Sequence, residues 1–241
     1  MKYFIIGDAH GQYRALDKLL TYRNTDEKII FLGDGMDRGP HSNLVLERVY
    51  KEVQAGGVYL KGNHDSMFED WLNDPIANEN FYLDQGGYST VRSFLGVIDG
   101  DSEYLAKQML DLDLGFNLKE FLQNLPYYYE GESFIAVHAG VNPLISDWKN
   151  SKDVDFMWIR DIFHKAKNNV NKTIFFGHTP TLFLTDTDFC SDIWVKDNKV
   201  GIDTGAGYNH FLTGVSYDDE TKERKVYTIH IKSNLLLKQN S

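Results

Sequence analysis

The chain is poor in cysteine, proline and long apolar runs, and each scarcity removes a class of protein. Its one cysteine, Cys190, excludes an internal disulfide framework, so a reducing interior is expected and the residue reads as a small buried hydrophobe. Five prolines scattered at turn-like positions leave no Pro-rich linker, and no repeat of fixed period is visible. The expectation over residues 1–241 is therefore a single domain with a sizeable core. No segment approaches the ~20 apolar residues that span a bilayer, and "MKYFIIGDAHG" reaches polar residues too soon for a signal sequence. A soluble cytoplasmic protein with no membrane partner is expected. Basic residues are outnumbered, 25 Lys and Arg against 35 Asp and Glu, giving a net charge of −10. Such a surface does not draw in a nucleic-acid backbone, so nucleic acid is not expected as a partner and any phosphate ligand must be held locally.

What is present is a rhythm of short β-branched runs, "KYFIIG", "KIIFLG", "VYLKG", "SFIAVH" and "KTIFFG". The first two are followed by helically periodic segments, "QYRALDKLLTY" and "NLVLERVYKEV". This is the βαβ pattern of a buried, largely parallel sheet in an α/β protein. After residue 190, "DIWVKDNKVGID", "FLTGVSYDDE" and "RKVYTIHI" are strands joined by Asp, Asn and Gly turns, expected to form an antiparallel meander as a second sheet layer. Residues 66–125 interrupt the strands with mostly helical, acidic sequence, either a cap over an active site or an insertion packed on the sheet. Within it "NDPIANEN", residues 73–80, reads as a surface loop.

Four of the five apolar runs end alike, in "GDAHG" (7–11), "GDGMDRG" (33–39), "GNHD" (62–65) and "GHTP" (177–180), and the fifth ends in "VHAG" (137–140). Open α/β sheets bind ligands outside the carboxyl ends of their strands, so these residues should converge. Asp8, His10, Asp34, Asn63, His138 and His178 offer only oxygen and imidazole nitrogen, which suits Mn, Fe or Zn in a catalytic site better than a closed structural zinc site. They are too many for one ion. Two metals ~3.5–4 Å apart, bridged by one carboxylate, would use them all, and such a pair serves in-line phosphoryl displacement. Taken singly the motifs are weak, since "GDAHG" could be a capped helix start and "VHAG" is uninformative. Their coincidence at five strand ends carries the reading. His41, His164, His210 and His230 fall outside the set and read as surface or hydrogen-bonded residues.

With these motifs the sequence resembles the calcineurin-like metallophosphoesterases, and within them the phosphoprotein phosphatase branch of bacterial and phage type. That branch carries GDxHG, GDxxDRG, GNHE, HxG and a later GH, and the spacings of Asp8, Asp34 and Asn63 agree with it. The resemblance runs from residue 7 to about residue 207. It implies a four-layer α/β/β/α sandwich of two mixed sheets with a helical insertion, and two divalent metal ions, Mn first and Fe or Zn as alternatives. Asp8 and His10 would complete one metal site and Asn63, His138 and His178 the other, with Asp34 bridging. His64 would be the general acid, oriented by Asp37. Arg38 matches a phosphate clamp, and Arg160 in "MWIRD" looks like a second one in its bacterial and phage form. Two departures stand out: Asp65 replaces the usual Glu, a change expected to be mild, and Gly35 and Met36 replace larger residues, which would loosen the packing beneath the site.

The function so implied is a metal-dependent phosphoric ester hydrolase, a Mn-dependent serine/threonine protein phosphatase or broad phosphomonoesterase in which metal-bound hydroxide attacks phosphorus directly. Its partner would be a phosphoprotein or small phosphoester. The main alternative is a symmetrical bis(5'-nucleosyl)-tetraphosphatase acting on a dinucleoside polyphosphate. Asp37 favours the monoester, because a poor alkoxide leaving group most needs a protonated His64. A metal-binding scaffold without turnover has no need of that pair, and a nucleic-acid phosphodiesterase is disfavoured by the charge. The tyrosines of "PYYYEG", residues 126–131, read as core or sheet surface before substrate contact.

Overall fold

The computed structural model describes residues 1–185 and 191–240, the last five as strand alone. Two mixed β-sheets pack face to face between helical layers. Among the described residues the first has six strands, β1 (Lys2–Ile6), β2 (Glu27–Phe31), β3 (Val58–Tyr59), β9 (Phe211–Asp218), β10 (Arg224–His230) and β11 (Leu236–Asn240), in the order β11-β10-β9-β1-β2-β3. The second has five, β4 (Tyr128–Glu130), β5 (Phe134–Val137), β6 (Thr173–Phe176), β7 (Trp194–Lys196) and β8 (Lys199–Gly201), in the order β4-β5-β6-β8-β7. The five apolar runs are β1, β2, β3, β5 and β6. Each sheet has a parallel centre, β1-β2-β3 in one and β5-β6-β8 in the other, with antiparallel strands outside it.

Alternation along the strands makes the layers. Tyr3 and Ile5 of β1 point to the second sheet, where they meet Phe134, Ala136, Phe175 and Val200. Phe4 and Ile6 point the other way, into a cluster with Leu16 and Leu19 of α1 (Tyr13–Leu20) and Val45, Leu46 and Val49 of α2 (Ser42–Gln54). On the far face of the second sheet Ile135, Val137, Ile174 and Phe176 pack against Phe156 of α8 (Asp153–Trp158) and Phe163 of α9 (Asp161–Lys165). This is the four-layer α/β/β/α arrangement that the motifs imply.

The C-terminal strands depart from expectation. They do not form one meander: β7 and β8 join the second sheet beside β6, whereas β9 to β11 extend the first sheet from β1. β9 explains the division, since its first five residues are all buried. A strand with both faces apolar belongs in a sheet interior, and pairing with β1 supplies that place.

Residues 66–125 are helical, carried by α3 (Asn63–Asn73), α4 (Pro75–Tyr82), α5 (Tyr88–Leu95), α6 (Ser102–Leu110) and α7 (Leu118–Gln123). Trp71, Tyr82, Val91, Met109 and Leu122 enter the same cluster as Phe4 and Phe31, so the segment packs on the helical face of the first sheet. "NDPIANEN" is mostly α4 and not a loop. Asp74 caps it by accepting from the Ala77 N–H at 3.1 Å, and Pro75 stands in the first turn, where its missing N–H costs nothing. Of the "PYYYEG" tyrosines, Tyr127 and Tyr128 pack with the α8 cluster, and Tyr129 lies beside Tyr3 and Phe134. His164, expected at the surface or hydrogen-bonded, is buried among Phe163, Phe176 and Trp194, and its Nε2 has no hydrogen-bond partner among the described residues. Cys190 lies outside the described residues. Among the described residues no helix is long and apolar enough to cross a membrane.

Candidate metal centre and acid pair

The turns after β1, β2, β3, β5 and β6 meet where the carboxyl ends of the two sheets come together, and they carry every expected metal ligand. Asp34 is the hub. Its Oδ2 lies 3.8 Å from His10 Nε2 and 3.5 Å from His138 Nε2. It belongs to two clusters of buried ligand atoms, one with His10 and His64, the other with His138 and His178. Burial opposes its charge, and the surrounding histidines outweigh burial and hold its carboxyl below the usual range.

The histidines are presented as ligands. His10 Nδ1 donates to the Met36 carbonyl at 2.9 Å and His138 Nδ1 to the Leu32 carbonyl at 2.8 Å, which fixes the tautomer and leaves each Nε2 lone pair facing inward. Burial, the leading cause, pushes His10, His138 and His178 below the ordinary histidine pKa, which favours the neutral form that binds metal. Asn63 Oδ1 lies 3.0 Å from His138 Nε2 and 2.7 Å from His178 Nδ1. His178 Nε2 and Asp8 Oδ1 are buried with no hydrogen-bond partner among the described residues. Lone pairs gathered this way, with no proton to share between Asn63 Oδ1 and His138 Nε2, fit cations of the O/N-preferring kind.

Asp8 stands apart from both clusters. Its Oδ2 accepts from the His178 N–H at 2.8 Å, and burial followed by the charges of Asp203 and Asp34 raises its carboxyl above the usual range. Gly177 permits this approach, because a Cβ there would lie 2.0 Å from Asp8 Oδ1.

His64 reaches the first ligand cluster, yet its Nδ1 is committed to Asp37 Oδ2 at 2.8 Å, with both side chains buried. Burial works against a charge on His64, and the carboxylates of Asp34 and Asp37 overcome it, raising its pKa above the ordinary value. Arg38 spreads its guanidinium across both rings, 3.2 Å from His10 Nε2 and 2.9 Å from His64 Nε2, under the Tyr208 ring. Arg160 is exposed at the other side and donates to Thr179 Oγ1 at 3.0 Å, next to His178.

Several residues outside the expected ligand set support the site, and of these only Asp65, Gly35 and Met36 stood out in the sequence, as departures from the family pattern. Asp65 accepts from the Asp34 and Gly62 N–H groups at 3.0 and 2.9 Å and from the Tyr59 hydroxyl at 2.6 Å, so it anchors the backbone of the hub. Tyr59 also accepts from the Gly35 N–H at 2.8 Å and occupies the space that a side chain at 35 would take, which is why Gly35 does not loosen the packing. Met36 is likewise fully packed. Asp203 follows β8 and is buried, with its carboxyl pushed up to about 6, chiefly by burial and against the Gly205 N–H bond. The strand-end rule that gave the candidate ligands applies to its position too. Tyr82 and Thr90 both donate to Asp37 Oδ1, at 2.9 and 2.6 Å, from a segment that carries no motif.

Residues 1–204 match the family model described as calcineurin-like phosphoesterase. Among curated proteins, the asymmetrical bis(5'-nucleosyl)-tetraphosphatase PrpE of Bacillus mycoides is 26% identical over 91% of this chain and 92% of its own length. A crystal structure described as a candidate diadenosine tetraphosphatase superposes with a TM-score of 0.62 at 15% identity, covering 94% of this chain and 93% of that one. A protein serine/threonine phosphatase from Saccharomyces cerevisiae gives 0.57 at 14% identity, over 95% of this chain and 79% of that one.

Proposed function

We propose that this chain, which belongs to the calcineurin-like phosphoesterase family and is a hydrolase of that kind, uses two divalent metal ions and an Asp37–His64 acid pair to cleave phosphomonoesters. The observation that carries the reading is Asp34, shared by two buried ligand clusters beside that pair. His10 and Asp34, with Asp8, would hold one ion, and Asn63, His138 and His178, again with Asp34, the other. Manganese suits this mixture of carboxylate, amide and imidazole, with iron or zinc as alternatives. Bound there, such ions withdraw charge from a phosphoryl oxygen and acidify water at neutral pH.

The protein's own groups divide the remaining work. Arg38 and Arg160 grip phosphoryl oxygens, a task for which the planar guanidinium fork is built. Arg38 Nη2 and His64 Nε2 can share one bond only while His64 is neutral, so a phosphate that draws Arg38 away leaves Nε2 free to carry a proton. Asp37 fixes Nδ1 and the ring. As the ester bond breaks, the Nε2 proton passes to the leaving oxygen, worth roughly 10²–10⁴ in rate. A leaving alkoxide gains most from this, which favours phosphoserine and phosphothreonine in proteins as substrates. A cytoplasmic setting fits the lone cysteine.

A second reading rests on relatives named asymmetrical bis(5'-nucleosyl)-tetraphosphatases, matched over nine tenths of their length. By that reading the substrate is a dinucleoside tetraphosphate, cut asymmetrically and not symmetrically. One panel decides: the protein with Mn²⁺ and with chelator, assayed on p-nitrophenyl phosphate, phosphoserine, phosphothreonine and phosphotyrosine peptides, and diadenosine tetraphosphate. Metal-dependent cleavage led by the serine and threonine peptides is expected. A preference of orders of magnitude for the tetraphosphate would install the second reading, and no turnover with any metal would overturn both.

A further inference from the structure

We infer that Tyr82 and Thr90, on the helical segment after β3, are positioning residues that orient the Asp37–His64 pair for proton transfer. The inference rests on the acid reading above and concerns what aims the acid. Asp37 is fully buried, and its carboxylate is held from both ends: Oδ2 by His64 Nδ1 at 2.8 Å, Oδ1 by the hydroxyls of Tyr82 at 2.9 Å and Thr90 at 2.6 Å. The carboxylate cannot turn about its Cβ–Cγ bond without giving up a charge-assisted bond to one of three donors. The imidazole that leans on it is fixed by the same constraint. Thr90 Oγ1 also accepts from the Asp37 N–H at 2.9 Å, which steadies a backbone held at a φ of 68°.

The local chain geometry is built for this convergence. Tyr82 and Thr90 are eight positions apart, about 12 Å along a regular α-helix, yet both reach one carboxylate oxygen. They do so because α4 ends at Tyr82 and α5 begins only at Tyr88, with a kinked turn, Leu83–Gly87, between them. Gly86 in that turn has a φ of 112°, and its carbonyl accepts from the Arg38 N–H at 3.2 Å. A Cβ at Gly86 would lie 2.8 Å from the backbone nitrogen of Arg38, so only glycine allows the approach. One irregular turn thus holds Asp37 through side chains and Arg38 through backbone.

Hydroxyls that merely satisfied a buried carboxylate would affect every substrate alike, whereas hydroxyls that aim an acid matter in proportion to the need for a proton. The test therefore compares kcat/KM for an alkyl phosphate and for p-nitrophenyl phosphate, with the Mn²⁺-loaded protein, in His64→Asn, Tyr82→Phe, Thr90→Val, Thr90→Ser and the Tyr82→Phe/His64→Asn double variant. The downfield proton resonance of the His64 Nδ1–H, assigned by its loss in His64→Asn, is followed alongside in protein loaded with diamagnetic Zn²⁺. Tyr82→Phe and Thr90→Val are expected to lower the alkyl-to-aryl ratio about 10- to 100-fold, the range of a misaimed group, and to shift the Nδ1–H resonance. Thr90→Ser is expected to restore both. In the His64→Asn background Tyr82→Phe should add nothing, because residues acting as a unit are not additive. Equal slowing of both substrates by Tyr82→Phe and Thr90→Val, or full additivity with His64→Asn, would overturn the inference while leaving His64 as the acid. Equal slowing by His64→Asn itself would overturn the acid reading, and this inference with it. Should Tyr82→Phe fail to fold, the Thr90→Val and Thr90→Ser pair decides alone.

Discussion

His10, Asp34, Asp37, Arg38 and His178 all have φ between 41° and 68°, in the left-handed region that side chains avoid at a cost of about 1–3 kcal/mol each. Strain of this kind persists only where neighbours impose it, and here they do. The His10 N–H is tied to the Asp34 carbonyl at 2.9 Å, the Asp34 N–H to Asp65 at 3.0 Å and the His178 N–H to Asp8 at 2.8 Å, so ligands brace one another's backbones. Gly177 is the tightest point in that bracing. Gly177→Ala would push a methyl group into Asp8 Oδ1 and displace the carboxylate without touching a ligand's identity. We expect the Mn²⁺ concentration for half-maximal turnover to rise about 10- to 100-fold, the scale on which supporting groups act at metal sites, with the fold retained. Metal-dependent turnover curves for wild type and variant check this, and an unchanged half-saturation would mean that Asp8 is not needed as a ligand.

At the scale of elements, the strand ends were legible because chemistry stands there in contiguous words, "GDAHG", "GDGMDRG" and "GNHD", each directly behind an apolar run. The helices of residues 66–125 were legible as helices, while their contribution to the site was not. Tyr82 and Thr90 are ordinary residues for a packed helix, and only tertiary packing brings them to Asp37. "NDPIANEN" misled through its polarity, although Asp74 followed by Pro75 is a helix start. The split of the C-terminal strands was hidden because hairpin signals identify partners within a hairpin and say nothing of which sheet receives it. His164, on α9, shows another limit, since its burial is decided by Phe176 and Trp194 on strands distant in sequence. Burial, then Lys199, pushes its pKa down to about 4. The unfolded chain binds that proton first as pH falls. Stability from this site is therefore complete above about pH 6.5 and declines toward pH 4. Denaturant unfolding across that window should show a shallower decline for His164→Phe than for wild type, and identical slopes would contradict the buried, neutral state.

For the whole molecule, the central fact is that the two sheets converge on one site. Asp8, His10 and Asp34 follow strands of the first sheet, His138 and His178 strands of the second, and Asp34 belongs to clusters that span both. Helical layers outside the sheets then have separate places: α1 and α2 cover the first sheet, α8 and α9 the second, and the segment after β3 reaches in to hydrogen-bond Asp37. On the proposed reading the motif "GDGMDRG" divides into Asp34 for the metals, Asp37 for the acid and Arg38 for the phosphate. The most direct test of this account is Mn²⁺ stoichiometry by calorimetric titration with electron paramagnetic resonance of the loaded protein. Wild type is predicted to bind two ions per chain with an exchange-coupled signal, and Asp34→Asn to lose the coupling, at least one tight site and turnover. Two tightly bound, coupled ions and normal turnover in Asp34→Asn would contradict it.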